Sequence, residues 1–342
     1  MSLRVVVADP GGQRRRWIEA LAALLPGVQV YGIDEADDVQ DPERGPRAST
    51  SAANAGTTAA QRKSAAHTVC VGAHYAVGWN PDAAFFAANP SLRAFFTTSA
   101  GVDALLTNGA LPEALPVVRV EDGGMAQQMA DYCLHEAIRL QRRFGDYEAQ
   151  QRDRIWRTLE AEPKSAWPVG VFGLGAIGSH ITRTFAAAGF PVHGYSRSPK
   201  HIDGIDCLDD RQGLRTFLGR TRLLVLVAPL TKDTARLFDA ERLSWLAPGA
   251  WLVNIARGGL VDETALLAAL DSGRLAGATL DVVATEPPPP AHPFWQHRGV
   301  RLTPHVSGIT QIDESARQIA AKIAALERGE SVSGLVDRAR GY

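Results

Sequence analysis

Residues 169–178 read VGVFGLGAIG, a short apolar run that leads straight into glycines at 173, 175 and 178, and an amphipathic stretch from Ser179 to Ala188 follows. Few folds accept such a strand, glycine turn and helix in direct succession. The helix must cross back over the sheet, so the next strand lies parallel to the first and the sheet is covered on both faces. Gly173 permits a tight turn, Gly175 lets a ligand approach the backbone, and Gly178 lets the helix lie close on the strand. The helix N-terminus offers N–H groups to an anion, which makes the backbone of Gly173, Gly175, Ala176, Ile177 and Gly178 a candidate cradle for a dinucleotide pyrophosphate.

The rest of the chain repeats the alternation. Val169–Phe172, Pro191–Tyr195, Leu223–Val227, Trp251–Asn254, Ala278–Val282 and Val300–Thr303 are strand candidates separated by helical or turn segments, six in all, as a doubly wound sheet requires. Upstream, Arg4–Ala8, a Pro10-Gly11-Gly12 turn, an amphipathic Gln13–Leu25 and Val28–Tyr31 open another such series. Thr68–Gly72, Leu92–Thr97 and Val117–Val120 continue it. Between them, residues 40–66 contain ASTSAANAGTTAA and carry no period of 2 or 3.6, the composition of a low-complexity surface insertion. A long helical pattern runs from Gly124 to about Phe144. Near the end, Ile312, Ala316, Ile319, Ile323 and Leu326 fall on one face of a helix over Ile312–Arg328, with Thr310 and Asp313 spaced as a capping box. That helix comes too late to extend the second sheet and is expected to return to the first. For 342 residues the reading is α/β, with two doubly wound parallel-sheet domains, the later one inserted in the earlier.

Charge and cysteine content narrow the partners. Lys plus Arg number 36 against 37 Asp plus Glu, a net charge of -1, so no cationic footprint speaks for nucleic acid or an anionic membrane surface. Cys70, Cys133 and Cys207 are odd in number and widely spaced, and no metal site is expected from them or from the histidines. The N-terminal apolar run ends after Ala8, too short for a signal peptide, and no stretch is long enough to span a bilayer. The expectation is a cytoplasmic protein.

Four segments place chemistry beyond strand ends, where ligands gather in open α/β sheets. After the second strand of the glycine-turn series stand Ser196-Arg197-Ser198, with no carboxylate to bond a ribose. An arginine flanked by hydroxyls suits a 2′-phosphate, so NADPH is favoured, with NADH as the alternative. Arg257 in NIARGG offers a planar fork of donors to a carboxylate or polarised carbonyl. His305 in LTPHVSG can give and take a proton near neutrality. Glu286, ahead of four prolines, favours the imidazolium form if it bonds His305. Behind a nucleotide turn, these three suit hydride transfer to a ketone, whose oxygen gains negative charge.

These residues carry a resemblance. SAGVDALL (99–106), VGVFGLGAIG, GYSRSPK, APLTKDT (228–234), LVNIARGGLVDETALLAALDSGRLAGATLDVVATEP (252–287), LTPHVSGIT and VDRARGY resemble the D-isomer-specific 2-hydroxyacid dehydrogenases, and among them the branch that reduces glyoxylate and hydroxypyruvate. The resemblance spans roughly residue 92 to the end and is poor over the first 90 residues. It implies a Rossmann cofactor domain at 124–307 inserted in a flavodoxin-like substrate domain made of 1–123 and 308–342. It implies that Arg257 orients the substrate, that Glu286 tunes His305, and that His305 is the acid in reduction and the base in oxidation. Ala100, Gly101 and Val102 match the loop that binds the substrate carboxylate; Ala228, Pro229, Ile255, Ala256 and Asp281 match positions lining the nicotinamide. Small 2-oxo acids reduced to glycolate and D-glycerate, and a homodimer, complete the implied picture. An NAD-dependent dehydrogenase of a larger substrate and a non-catalytic dinucleotide-sensing module are the competing readings.

Overall fold

The computed structural model describes residues 2–8, 13–33 and 72–342. The chain divides into one unit of residues 1–123, 310–340 and 342, and another of 124–309 and 341.

In the first unit β1 (Arg4–Val7), β2 (Gln29–Gly32), β3 (Tyr75–Gly78), β4 (Ala94–Thr97) and β5 (Val117–Arg119) form a parallel sheet in the order β2-β1-β3-β4-β5. The interior strands β3 and β4 are buried at every residue because both faces are covered. Successive side chains point to opposite faces. Val5, Val7, Val77 and Phe96 therefore meet Trp17 and Leu21 of helix Arg14–Leu24, together with Ile312, Ala316, Ile319 and Ile323 of helix Ile312–Glu327. Val6, Ala76 and Phe95 meet Phe85, Phe86 and Leu105 on the other face.

In the second unit seven parallel strands run β12-β11-β10-β9-β6-β7-β8. They are β6 (Val169–Phe172), β7 (Val192–Tyr195), β8 (Asp206–Leu208), β9 (Leu223–Leu226), β10 (Ala250–Asn254), β11 (Leu275–Leu280) and β12 (Val300–Leu302). β6 pairs with β7 on one side and β9 on the other. The chain thus reverses its direction of progress across the sheet at β6, and the crevice above such a switch point is where ligands of open α/β sheets bind. Two parallel sheets of this kind make a Rossmann NAD(P)-binding fold joined to a flavodoxin-like one. Helix Met125–Gln141 packs on helix Ala176–Ala187, which follows the glycine turn.

Four expectations are corrected. The second sheet has seven strands rather than six, because Asp206–Leu208 adds an edge strand beside β7. The strand expected to end at Gly72 lies almost wholly outside the described residues, and the described strand of that region is Tyr75–Gly78. The strand expected at Ala278–Val282 begins three residues earlier, at Leu275, and ends at Leu280. The capping box does not form: Gln311 is the N-cap, no side chain caps the helix, and the Thr310 hydroxyl donates to the Thr98 carbonyl at 3.2 Å. The Pro10-Gly11-Gly12 turn and the 40–66 insertion lie outside the described residues.

Candidate active site

The glycine turn is shaped by one forced approach. A Cβ on Gly178 would fall on the Gly173 carbonyl oxygen, so only glycine lets the first helical turn close against the strand end, and Gly173 itself sits at a φ of +110°. Gly175 is the helix N-cap without a side-chain cap, and a Cβ there would meet nothing within 4 Å. Open space in front of uncapped N–H groups at Ala176, Ile177 and Gly178 fits a pyrophosphate.

At the ends of the flanking strands, Ser196 is anchored by its N–H to the Leu208 carbonyl at 3.1 Å, and its hydroxyl donates to the Ser198 carbonyl at 2.7 Å. Arg197, half-exposed, donates from Nη1 to Asp233 at 3.2 Å. Ala228, Ile255 and Ala256 are buried, and the Pro229 carbonyl accepts from the Thr234 hydroxyl at 2.7 Å.

Beyond β10, the buried Asn254 ties the turn together. Its Nδ2 donates to the Arg257 carbonyl at 2.9 Å and its Oδ1 accepts from the Ala256 N–H at 3.1 Å. Arg257 is extended, with φ -147° and ψ 139°, and Nη1 donates to the Ala256 carbonyl at 2.7 Å. Its neighbour Gly258 lies so flat on the chain after β11 that a Cβ would collide with the Val283 carbonyl and the Ala284 nitrogen. That contact brings the Arg257 turn against the loop that carries Glu286. The same loop is tied from a third element, since the Ala284 N–H donates to Glu263 at 2.9 Å.

Glu286 accepts from the Val283 N–H through Oε1 at 3.2 Å and faces His305 Nδ1 through Oε2 at 2.9 Å. A carboxylate can only accept, so Nδ1 carries the proton and Nε2 is the nitrogen left to exchange one. The His305 side chain is 47 % exposed, open enough for a ligand to reach it.

His305 adopts φ +55°, a conformation that side-chain-bearing residues hold only when their surroundings enforce it. The enforcing group is Asp281, 1 % exposed at the end of β11. Its backbone carbonyl accepts from the His305 N–H at 2.9 Å. Its carboxylate accepts from the Val306 N–H at 2.8 Å, the Ser307 N–H at 2.9 Å and the Thr303 hydroxyl at 2.6 Å. Tyr132, from helix Met125–Gln141, shares a hydrogen bond of 2.7 Å with that hydroxyl, and its burial pushes the phenol well above its ordinary range. Sequence reasoning placed Asp281 among the positions lining the nicotinamide; the structure shows its carboxylate bonded to the 303–307 turn. Asn254, Glu263, Thr303 and Tyr132 were missed as site residues: the first three stand inside the segments quoted for Arg257, Glu286 and His305 but were given no role, and Tyr132 lies in no motif.

Ala100, Gly101 and Val102 belong to the first unit, between β4 and the short helix Asp103–Thr107. Val102 is its N-cap with the side chain buried and no side-chain cap, and Arg119 donates to the Ala100 carbonyl at 3.3 Å.

Comparison with known proteins follows the same division. The family model "D-isomer specific 2-hydroxyacid dehydrogenase, NAD binding domain" matches residues 134–307. Glyoxylate/hydroxypyruvate reductase A of Serratia proteamaculans is 42 % identical over 99 % of this chain and 100 % of its own. Among solved structures, a D-isomer-specific 2-hydroxyacid dehydrogenase from Xanthobacter autotrophicus Py2, in complex with NADPH and MES, superposes with a TM-score of 0.86 at 35 % identity, covering all of both chains. The NADPH-dependent glyoxylate/hydroxypyruvate reductase of Sinorhizobium meliloti, in complex with NADP and sulfate, gives 0.83 at 31 % identity over 99 % of this chain and 100 % of that one. With the glycine turn, the Arg257 turn and the Glu286–His305 pair all inside the matched stretch, the chain belongs to the D-isomer-specific 2-hydroxyacid dehydrogenase family.

Proposed function

We propose that this chain is an NADPH-preferring reductase of small 2-oxo acids, glyoxylate and hydroxypyruvate above all, yielding glycolate and D-glycerate. The observation that carries the reading is the Glu286–His305 contact at 2.9 Å on the sheet whose β6 ends in the glycine turn. A bound nicotinamide supplies a hydride to the keto carbon. Arg257 holds the substrate through its fork of donors and offsets charge on the keto oxygen as it grows. His305 gives that oxygen a proton from Nε2, while Glu286 keeps the ring oriented through Nδ1 and lends a counter-charge while both nitrogens are protonated. In the reverse direction His305 takes the proton back. The backbone of Ala100, Gly101 and Val102 receives the substrate carboxylate, a role supported by the uncapped start of helix Asp103–Thr107. Residues 124–307 form the cofactor domain and residues 1–123 with 308–342 the substrate domain.

Arg197 reads the adenosine 2′-phosphate, which supports NADPH over NADH. The relatives' printed cofactors, NADPH and NADP, support the same choice. The reading includes a cytoplasmic homodimer. Among the described residues no helix is long and apolar enough to cross a membrane, Cys133 and Cys207 are free thiols, and Phe144, Ile155 and Trp156 are exposed on one segment.

The test is a panel of 2-oxo acids assayed with each cofactor. Turnover is expected with glyoxylate and hydroxypyruvate, faster with NADPH. Tight NADPH binding with no turnover on any acid would favour a sensing module instead.

A further inference from the structure

The loops flanking the glycine turn carry a negative charge, Asp233, that the cofactor reading does not use. Arg197 follows β7 and Asp233 follows β9, and these are the two strands that flank β6. Their ion pair, 3.2 Å from Nη1 to Oδ2, therefore joins loops on either side of the strand that ends in the glycine turn. Asp233 is not a stray carboxylate on a loose loop. The Thr231 N–H donates to the Thr234 hydroxyl at 2.8 Å, that hydroxyl donates to the Pro229 carbonyl at 2.7 Å, and the Ala235 N–H returns to the Thr231 carbonyl at 2.9 Å. A turn bonded in this way holds Asp233 toward Arg197 from a fixed base. Its neighbours in sequence are of the opposite sign: Lys232 precedes it, and Lys200 accompanies Arg197 in GYSRSPK.

We infer that Asp233 is a specificity-determining residue, an internal counter-anion that competes with the adenosine 2′-phosphate for Arg197 and so limits the preference for NADPH over NADH. The inference rests on the reading of Arg197 as the phosphate-binding group. A phosphomonoester carrying close to two negative charges must share the guanidinium with the carboxylate or displace it, whereas the 2′-hydroxyl of NADH meets no such competition. The pair is exposed, with Arg197 at 48 % and Asp233 at 75 %, so the penalty is a modest one. Removing the negative charge should tighten the phosphorylated cofactor by about threefold to fivefold, the range an exposed pair can supply. The unphosphorylated cofactor should bind as before. Because both partners face solvent, the difference should shrink as salt is raised.

The experiment measures dissociation constants of NADPH and NADH by fluorescence titration, and of adenosine 2′-monophosphate and 5′-monophosphate by calorimetry, for wild type, Asp233→Asn, Arg197→Ser and the double variant. Expected are tighter NADPH and 2′-monophosphate in Asp233→Asn, unchanged NADH and 5′-monophosphate, and no effect of Asp233→Asn once Arg197 is gone. If Arg197→Ser leaves NADPH affinity at the wild-type value, the phosphate assignment falls and the role of Asp233 with it. If Arg197→Ser weakens NADPH while Asp233→Asn leaves it unchanged or weakens it too, the assignment stands and the counter-anion is refuted. Unfolding is excluded as a cause by the thermal transition, which both single variants must retain, and for Asp233→Asn by its NADH constant as well.

Discussion

At the residue scale, the proposed chemistry assigns separable duties to three side chains, Arg257, Glu286 and His305. His305→Ala should reduce turnover about a thousandfold, the middle of the range for a positioned acid, while NADPH binds as in wild type. Glu286→Gln keeps a hydrogen-bonding group of the same shape but no charge, and should cost kcat with little change in KM. Arg257→Ala should raise KM for the 2-oxo acid as well as lower kcat, because the guanidinium is read as a substrate ligand. Steady-state kinetics with a cofactor titration check all three, and wild-type constants in any variant would strike that residue from the mechanism. These three were legible as candidates because Arg, Glu and His each stand just past a strand, within segments of recognisable composition, and the contact of Glu286 with His305 that the reading raised is present. Asp281 was legible as a candidate position, but its bonds to the 303–307 turn were not. Its carboxylate holds the left-handed backbone of His305 by accepting from Val306, Ser307 and Thr303, and nothing in a sequence announces that a histidine will need φ +55°. Asn254 and Glu263 escaped for a similar reason: a polar residue that caps a nearby turn has the same letter as one that faces water.

Elements bring those residues together, and two of them can be tested. Gly258 allows the Arg257 turn to touch the backbone at Val283 and Ala284. Gly258→Ala must push the two loops apart by roughly the size of a methyl group, and displacements near 1 Å in an active site can cost about a hundredfold in rate. We expect kcat/KM to fall by that order, with NADPH affinity held, since the glycine turn lies on another strand; an unchanged kcat/KM would mean that the contact does not set the geometry. The other element is β7. Its His193 is buried at 4 % exposure, with Nε2 2.9 Å from the Thr221 hydroxyl and 3.3 Å from the Phe217 carbonyl. Burial lowers its pKa from the ordinary 6.5, so the native state keeps it neutral where the unfolded chain takes up a proton. The associated stability is present above pH 6.5 and is lost as pH falls from there toward the depressed native value. Thermal unfolding between about pH 7.5 and 5.5 should therefore show a smaller acid-side loss in His193→Gln than in wild type, and equal losses would exclude the group. Fully apolar strands such as Val169–Phe172 were readable to the residue. β8 was not, because DCL is three residues long, lies at the sheet edge, and has only Leu208 buried.

For the whole molecule, alternating β and helical patterns were enough to anticipate two parallel sheets, since a strand followed by a crossover helix has few other ways to bury its faces. The return of helix Ile312–Glu327 to the first sheet followed from its spacing of apolar residues: Ile312, Ala316, Ile319 and Ile323 need a core, and the second sheet is already complete. What the pattern of strands and helices could not convey is which surface the proposed homodimer would use. On the segment after helix Met125–Gln141, Trp156 is fully exposed, with Ile155 at 48 % and Phe144 at 42 %. Isolated apolar residues on a surface need no explanation, but an indole left wholly in water, on a segment that also exposes Ile155 and Phe144, forgoes roughly 3 kcal/mol that burial would return. A second copy of the chain is the partner our reading assigns to it, and aromatic side chains are the usual anchors of such contacts. Trp156→Glu would replace that gain with the cost of desolvating a carboxylate, so dimerisation should weaken by at least about a hundredfold, the equivalent of roughly 3 kcal/mol. Sedimentation velocity over a dilution series is the measurement: wild type should sediment as a dimer and Trp156→Glu as a monomer that still binds NADPH, because the glycine turn is built from other elements. A wild type that sediments as a monomer at every concentration, or a Trp156→Glu dimer as tight as wild type, would remove this segment from the interface.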